Sequence, residues 1–316
     1  MNRRDAVFSI LEEKVDGKQE YVPAAFFLHF GSDFRFGAPA VERHLEFFHA
    51  TGMDLFKIQY EQEFPPHTIR CRSDWAGIPV LNEEFFAPQL EVVRGLVGAL
   101  KEEAPVLVTL YSPFMCAAQV AGAETLMTHL SNDPDAVEQG LANLAESLLV
   151  FVRACIRLGV DGFYHSTQGA ESRRFADPAL FTDYIKPSDL TVMREINAHC
   201  PFNILHICDY HRADFGGYAD LTPFLDYPGQ IVNCNLQIGD GAMTAQEVSS
   251  LFGRPFMGGL DRLGDLATGT EEQVRVAARE ALQAKSDRFF LAADCTVPGT
   301  TPWANLRAAI EEAHRY

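Results

Sequence analysis

Short apolar runs rich in β-branched and aromatic residues recur along the chain, and longer segments with helical periodicity lie between them. Such a run, ended by polar or small residues, is typical of a buried strand. The pattern predicts eight strands, over residues 24–29, 54–59, 106–111, 162–165, 203–207, 231–234, 255–259 and 289–293. The chain is therefore expected to alternate between strands and helices over nearly its whole length.

The clearest predicted helix lies between the third and fourth strands. Its apolar residues are spaced three or four apart and form one buried stripe: Val137, Leu141, Leu144, Leu148, Phe151 and Cys155. Pro134 would stand in the first turn, where its missing N–H is harmless. Further helices are predicted over residues 41–50, 87–101, 178–198, 271–285 and 303–313.

Strands that alternate with helices favour a parallel sheet, because parallel strands need crossover connections. Eight such strands can close into a barrel, which removes both sheet edges. The predicted fold class is α/β, a single (β/α)8 TIM barrel that forms one domain over residues 1–316. A doubly wound open sheet is the alternative. Residues 61–88 are expected to form a long loop after the second strand, where a barrel builds its active site.

The net charge of the chain limits the classes of partner that it can bind. Lys and Arg number 26 against 43 Asp and Glu, so the formal net charge is −17 at pH 7. This surplus repels phosphate backbones and anionic headgroups, which argues against nucleic-acid and membrane binding. Acidic residues near the amino terminus do not fit a signal peptide, and no apolar run reaches the roughly 18 residues that span a bilayer. We expect a cytoplasmic protein whose scattered cysteines are reduced thiols or metal ligands.

One group of residues has the composition of a metal site. His206 and Cys208 lie two apart at the end of the fifth predicted strand, so their side chains point to the same side. Cys295 follows the eighth strand and would stand on the same face of a barrel. One His and two Cys are zinc ligands, and three protein ligands leave a fourth position open. The alternative is that the cysteines are small buried apolar residues and His206 is a hydrogen-bonded core histidine. The spacing leaves both interpretations open.

Other polar residues at the strand ends could line a polar mouth that orients a substrate. They are His29, Gln59, Glu61, Tyr111, Tyr164, His165, Gln168, Asn233, Asn235 and Asp261. Tyr164, His165 and Gln168 are the predicted catalytic residues, because a proton or hydrogen-bond donor belongs directly after a barrel strand. The predicted contacts with a cofactor are His29, Gln59, Asn233 and Asp261. Each of these residues singly is more often a solvated or capping residue.

Several segments, in order, resemble the uroporphyrinogen decarboxylase superfamily, whose fold is a single (β/α)8 barrel. They include LYSPFMCAAQVAGAETLMTHLSNDPDAV, LGVDGFYHSTQGAE, LHICDY, FMGGLDRLGDLATGTEEQV and ADCTVPGTTPWANLRAAIEEA. True decarboxylases carry an Arg-rich segment after the first strand and a Gly-His-Gly near the carboxyl terminus. Here the first place begins with His29-Phe30-Gly31 and the second reads Asp294-Cys295-Thr296, so both signatures are missing.

The motifs are instead similar to the zinc-dependent methyltransferases of this superfamily, which move a methyl group from a corrinoid to a thiol such as coenzyme M. Their metal motif is His-x-Cys followed far downstream by Cys, and His206, Cys208 and Cys295 fall on those positions. The resemblance implies a Zn²⁺ cofactor, a small-molecule thiol acceptor, and a methylated corrinoid co-substrate carried on a separate corrinoid protein. Asp209 and Asp294 stand where close relatives commonly have Gly, which leaves the substrate open.

Two other functions remain to be weighed. The first is decarboxylation of an anionic tetrapyrrole in porphyrin biosynthesis, which needs cations that this acidic chain largely lacks. The second is a non-catalytic zinc- or corrinoid-binding barrel. The sequence does not determine the oligomeric state, and a homodimer is among the states considered.

Overall fold

A computed structural model describes residues 3–12, 19 and 21–316 of the chain. Seven parallel strands form one curled sheet, and each strand pairs with the next one along the chain. They are β1 (Phe56–Ile58), β2 (Val106–Tyr111), β3 (Gly162–Thr167), β4 (Ile204–Ile207), β5 (Ile231–Cys234), β6 (Phe256–Leu260) and β7 (Phe289–Ala293). The prediction of an α/β fold with a parallel sheet is confirmed, and so are seven of the eight predicted strands.

Helices follow most of the strands, as βαβ crossovers require. They are α1 (Arg3–Ser9), α2 (Gly37–Thr51), α3 (Arg72–Ala76), α4 (Ala87–Leu100), α5 (Pro113–Ala121), α6 (Ala123–Asn132), α7 (Pro134–Leu158), α8 (Lys186–His199), α9 (Arg212–Phe215), α10 (Ala245–Phe252), α11 (Asp265–Thr268), α12 (Glu271–Gln283) and α13 (Trp303–Arg315). A π-helical turn at Phe181–Ile185 leads into α8. None of the described helices is long and apolar enough to cross a membrane.

The first predicted strand, 24–29, differs from the prediction. It forms only two isolated parallel bridges, from Ala24 to Leu291 and from Leu28 to Val297. On its other side the Gln59 side chain donates to the Leu28 carbonyl at 2.7 Å, and the backbone N–H of Ala24 donates to the carboxylate of Asp54 at 2.8 Å. Because side chains take up these backbone groups, no continuous ladder joins the segment to β1, and the eight-stranded barrel is confirmed only in part.

The predicted long loop 61–88 contains the short helix α3 and ends in the first turn of α4. The Asp74 carboxylate accepts from the backbone N–H groups of Arg70 and Cys71, at 2.7 and 2.9 Å, and so caps α3. A five-residue helix with one apolar anchor, the buried Trp75, gives no helical periodicity that sequence could reveal.

Helix α7 follows its predicted pattern. All six residues of the apolar stripe are buried, and the helix ends where Gly159 adopts a left-handed φ of +91°. The Gly159 N–H then donates to the carbonyls of Cys155 and Ile156, which satisfies two groups that the helix end leaves without partners.

Side-chain alternation decides what each strand presents to the inside of the curled sheet. On β3, Tyr164 and Ser166 face the concave side, where a cavity opens. Thr167 faces the other way and donates to Asp189 of α8. His165 belongs to the same helix-facing set as Thr167. The apolar core therefore lies both within the curl and between the sheet and the helices.

Replacing Gly162 with Ala is expected to destabilise the protein by about 3 kcal/mol, because the new Cβ would clash with backbone. An ideal Cβ at Gly162 lies 1.7 Å from the carbonyl oxygen of Phe202, whereas nothing lies within 4 Å of one at Gly98 in α4. Gly98→Ala is the matched control and should stabilise the protein by about 0.5 kcal/mol. Urea unfolding followed by circular dichroism measures both, and equal midpoints would contradict the expectation.

Candidate functional site

A cavity of about 640 Å³ opens on the concave side of the sheet, towards the carboxyl ends of the strands. Lys57 of β1, Thr109 and Tyr111 of β2, and Tyr164 and Ser166 of β3 line one part of it. The rest is lined by His29, by Met115 of α5, by Gln168 after β3, by β4, and by the segments that follow β4, β6 and β7. In α/β sheets this end is where ligands bind, and the cavity is large enough for a small-molecule ligand.

Three metal-binding side chains meet in this cavity. The Sγ atom of Cys295 lies 3.9 Å from Sγ of Cys208 and 3.4 Å from Nε2 of His206. The three ligand atoms all lie within 4.8 Å of one another, and the three residues are buried. A tetrahedral zinc ion with ordinary bond lengths separates two sulfurs by about 3.8 Å and a sulfur from a nitrogen by about 3.6 Å. The spacing of these three residues, the trio, is therefore compatible with a tetrahedral zinc ion.

The two thiols ionise unequally. A hydrogen bond from Cys295 and the nearby His206 lower the pKa of Cys208 well below its usual value. The same hydrogen bond, together with burial, raises the pKa of Cys295 well above its usual value. The pair thus loses one proton readily and a second with difficulty, because two buried negative charges repel each other. A divalent cation would remove that cost.

Gln168 is one of the predicted catalytic residues, and it hydrogen-bonds to a cysteine of the trio. Its Nε2 donates to Sγ of Cys208 at 3.4 Å, and the side chain is buried. A hydrogen bond to a thiolate stabilises the charge and fixes the orientation of the sulfur.

Tyr164 supports the trio from the side. Its ring lies against the His206 ring, with 4.8 Å between the centroids, and its hydroxyl donates to Oδ1 of Asn233 at 2.5 Å. The Asn233 amide nitrogen donates to the carbonyls of Met257 and Ala293, at 2.8 and 3.1 Å. Asn233 does not line the cavity. It therefore holds Tyr164 in place and ties β5 to β6 and β7, rather than presenting a free amide to a cofactor as predicted.

Of the other three predicted cofactor contacts, His29 lines the cavity, whereas Gln59 and Asp261 do not. His29 lines the cavity, and its ring nitrogens lie 2.8 Å from Oε1 of Glu61 and 3.3 Å from the Tyr111 hydroxyl. Gln59 is buried beside segment 24–29, where it bonds Leu28 as described above. Asp261 accepts from a backbone N–H in its own loop, at 2.8 Å, and stands outside the cavity lining.

His165 also stands outside the cavity lining. It is fully buried on the helix-facing side of β3, and neither ring nitrogen has a hydrogen-bond partner among the described residues. Burial, with a smaller effect from His206, lowers the pKa of His165 to about 3. The ring is thus neutral at physiological pH, and the structure does not bring this predicted proton donor to the cavity. The sequence correctly placed His165 near the end of β3, but its side chain faces the helices and not the cavity.

Lys57 is a cavity residue that sequence analysis did not single out. It is buried, and its ammonium lies over the rings of Phe27 and Tyr164, at 4.7 and 4.5 Å from the centroids. Burial lowers the pKa of Lys57 to about 7, and Cys295, Cys208 and Glu61 oppose that shift. The signal in the sequence was one charged residue inside an otherwise apolar strand, LFKI.

The two aspartates that flank the cysteines point away from the cavity. Asp209 pairs with Arg212 at 3.0 Å. Asp294 accepts from the Arg262 backbone N–H at 2.8 Å and from the Asn235 amide at 2.7 Å, and burial raises the pKa of Asp294 to about 6. Among the described residues, no Asp or Glu lines the cavity that holds the trio.

A second cavity of about 470 Å³ adjoins the first. The two share His29, Tyr111, Met115, Gln168 and His211 in their linings. The trio therefore lies in one chamber of a wider mouth, and Gln168 and Tyr111 stand between the two chambers.

Comparison with known proteins places this site in context. The model of the family described as uroporphyrinogen decarboxylase (URO-D) matches residues 47–316. A methyltransferase from Methanosarcina mazei is similar in structure, with a TM-score of 0.76 at 16% identity over 100% of this chain and 99% of that chain. A B12-independent methionine synthase from Shewanella sp. W3-18-1 has a TM-score of 0.56 at 12% identity, over 93% of this chain and 97% of that chain. At such identities the likeness shows the fold alone. No curated protein sequence matches the chain.

The geometry of the trio predicts one zinc ion per chain, which Cys208→Ala and Cys295→Ala should each abolish, because two remaining ligands bind zinc weakly. Elemental analysis of purified protein measures the content. Cys155→Ala is the matched control, since that buried thiol lies on the α7 stripe; it should keep zinc while losing about 1 kcal/mol of stability. Full zinc occupancy in both ligand variants would exclude the trio as the site.

Proposed function

The chain belongs to the uroporphyrinogen decarboxylase family, and from that premise we propose that it is a zinc-dependent enzyme that moves a methyl group from a methylated corrinoid to a thiol. The observation that carries the proposal is the contact of one His and two Cys side chains inside the main cavity. Decarboxylation gives such a trio no role, whereas thiol chemistry does. The Methanosarcina mazei neighbour is itself described as a methyltransferase, which agrees with the proposal.

His206, Cys208 and Cys295 would hold the zinc. When bound, zinc supplies a Lewis acid that lowers the pKa of a substrate thiol and holds the thiolate in a fixed place. The chain's own residues then set the geometry. Gln168 fixes the orientation of the Cys208 sulfur, and Tyr164 keeps the His206 ring from turning. A thiolate held in a fixed direction would attack an aligned methyl group with little further loss of entropy, so that an S–CH3 bond forms while the corrinoid keeps the electron pair of its broken Co–CH3 bond.

The methyl donor would approach from the mouth. The trio is buried, while the two adjoining chambers open between the segments that follow the strands. We propose that the chain acts in the cytoplasm, that a separate corrinoid protein brings the methylated corrinoid to this mouth, and that the acceptor is a small-molecule thiol. Segment 24–29, which bridges β7 and lies beside β1, would complete a closed (β/α)8 barrel around the site.

Decarboxylation of an anionic tetrapyrrole is the second candidate. Lys57 and Arg262 line the cavity, and among the described residues no carboxylate does. Such a lining would tolerate the carboxylates of a porphyrinogen. Decarboxylation gives no function to His206, Cys208 and Cys295, so the structure supports it less well than methyl transfer.

An assay with methylcobalamin and several thiols tests the proposed reaction. Zinc-loaded protein should demethylate the corrinoid in the presence of a thiol, and zinc removal or Cys295→Ala should lower the rate at least about a hundredfold, because the thiol would then remain protonated and unaligned. The absorbance change of the corrinoid reports the rate. Turnover of uroporphyrinogen by metal-stripped protein at the rate of untreated protein would instead favour the decarboxylase.

Gln168→Ala is expected to lower kcat for methyl transfer about tenfold while the zinc content stays at one per chain, because residues that hydrogen-bond a metal ligand tune its orientation and charge. Gln139→Ala, at an exposed glutamine on α7, is the control and should change neither quantity. Steady-state kinetics and elemental analysis on the same samples separate the two effects. An unchanged kcat in Gln168→Ala would remove this residue from the mechanism.

A further inference from the structure

Lys57 stands out among the charged residues of the protein. Its side chain is 3% exposed, points into the cavity and contacts two aromatic faces, Phe27 and Tyr164. Among the described residues, no carboxylate lies within 4 Å of its ammonium, although the chain carries 43 Asp and Glu. Burying an ammonium is costly, and aromatic faces repay only part of that cost. An anion that binds in the cavity would offset the rest of that cost.

The ammonium lies one aromatic ring away from the trio. The Tyr164 ring contacts both groups, since its centroid is 4.5 Å from Nζ of Lys57 and 4.8 Å from the centroid of the His206 ring. The charge of Lys57 interacts with both thiols of the trio, because Cys295 and Cys208 oppose the lowering of the Lys57 pKa by burial. Arg262, the other Lys or Arg residue of the lining, is only partly buried and lies against the exposed Tyr210 at the rim, with 4.6 Å between its guanidinium carbon and the ring centroid.

Charge counting shows when Lys57 is needed. Two cysteine thiolates and a neutral histidine balance a divalent zinc ion, so the trio with its metal is neutral. Addition of a substrate thiolate leaves one uncompensated negative charge in a buried site, which is costly. One lysine ammonium restores neutrality.

We propose that Lys57 compensates the charge of the acceptor thiolate and thereby promotes loss of the thiol proton when the acceptor binds at the trio. The inference rests on the proposed function and adds a residue to it. The thiol S–H bond breaks, the sulfur keeps the electron pair, and the proton passes to solvent. The group acts through its positive charge and not through a contact with the transferred methyl.

The groups around Lys57 define the pH range of the effect. They are Cys208 and Cys295 across the cavity, Glu61 after β1, Tyr164 on β3 and His44 on α2. His44 and Tyr164 stay neutral near pH 7, because burial lowers the pKa of His44 to about 4 and raises that of Tyr164 well above its usual value. Bound zinc would offset the charges of Cys208 and Cys295, so the acceptor thiolate supplies the negative charge that favours the charged form of Lys57.

The test compares thiol binding to zinc-loaded wild type, Lys57→Met, Lys57→Gln and Lys57→Arg. Calorimetry between about pH 6 and 8.5 follows the affinity for 2-mercaptoethanol, which has no acid group, and for 3-mercaptopropionate. Removal of the charge should weaken binding of both thiols about tenfold at pH 7 and move the pH–affinity curve up by about one unit. Lys57→Arg keeps the charge and should recover most of the affinity. Zinc content, measured on each sample, should stay at one per chain.

Lys186→Met is the matched control, because it removes one positive charge from a partly buried lysine that pairs with Asp226 outside the cavity lining. It should leave the pH–affinity curve unchanged. Identical curves for wild type, Lys57→Met and Lys57→Gln would overturn the inference. A loss confined to 3-mercaptopropionate would also overturn it, because Lys57 would then bind an acid group. If zinc-loaded wild type binds neither thiol, the proposed function fails, and the role of Lys57 fails with it.

Discussion

The contact between Cys295 and the His206–Cys208 pair depends on the curl of the sheet. His206 is in β4 and Cys208 directly follows it, while Cys295 follows β7; β5 and β6 lie between these strands. Side chains from strands three places apart in a flat sheet could not come within 4 Å, because neighbouring strands are about 4.8 Å apart. Here Sγ of Cys295 and Nε2 of His206 are 3.4 Å apart. Asn233 reinforces the same closure, since its amide reaches carbonyls in both β6 and β7.

The partners of two aspartates explain how an acidic protein builds a cavity without acidic groups in its described lining. Asp209 and Asp294 are chain neighbours of the two cysteines, yet each turns to its own partners, Arg212 for the first and the Arg262 and Asn235 N–H groups for the second. Their hydrogen bonds brace the segments that follow β4, β5, β6 and β7. The groups in the cavity lining that can carry negative charge are thus the thiols of Cys208 and Cys295, whose ionisation a bound metal ion would favour.

Much of the fold could be predicted from the sequence, because periodicity reports burial and burial decides the elements. The α7 stripe and seven strands follow directly from it. The failure at 24–29 has a local cause that periodicity does not contain. The side chains of Asp54 and Gln59 bond the Ala24 N–H and the Leu28 carbonyl, so the segment has the apolar pattern of a buried strand but no continuous ladder to β1. Helix α3 was missed because its stabilisation comes from a capping carboxylate and one aromatic residue.

The site shows where such prediction ends. Strand position identifies which residues stand at the functional end of a barrel, and on that basis the trio, Gln168 and Tyr164 were found. Strand position does not determine whether a polar side chain binds a ligand or a neighbouring protein group. That choice depends on the hydrogen-bond partners that other segments provide. The Asn233 amide nitrogen donates to two backbone carbonyls, and His165 lies on the helix-facing side of its strand. Lys57 is the converse case: a polar residue in an apolar run has no partner in its own segment, and it acquires a role only when the curled sheet carries it next to two thiols. A charged residue that breaks an apolar strand therefore indicates a position whose partners must come from other segments of the chain.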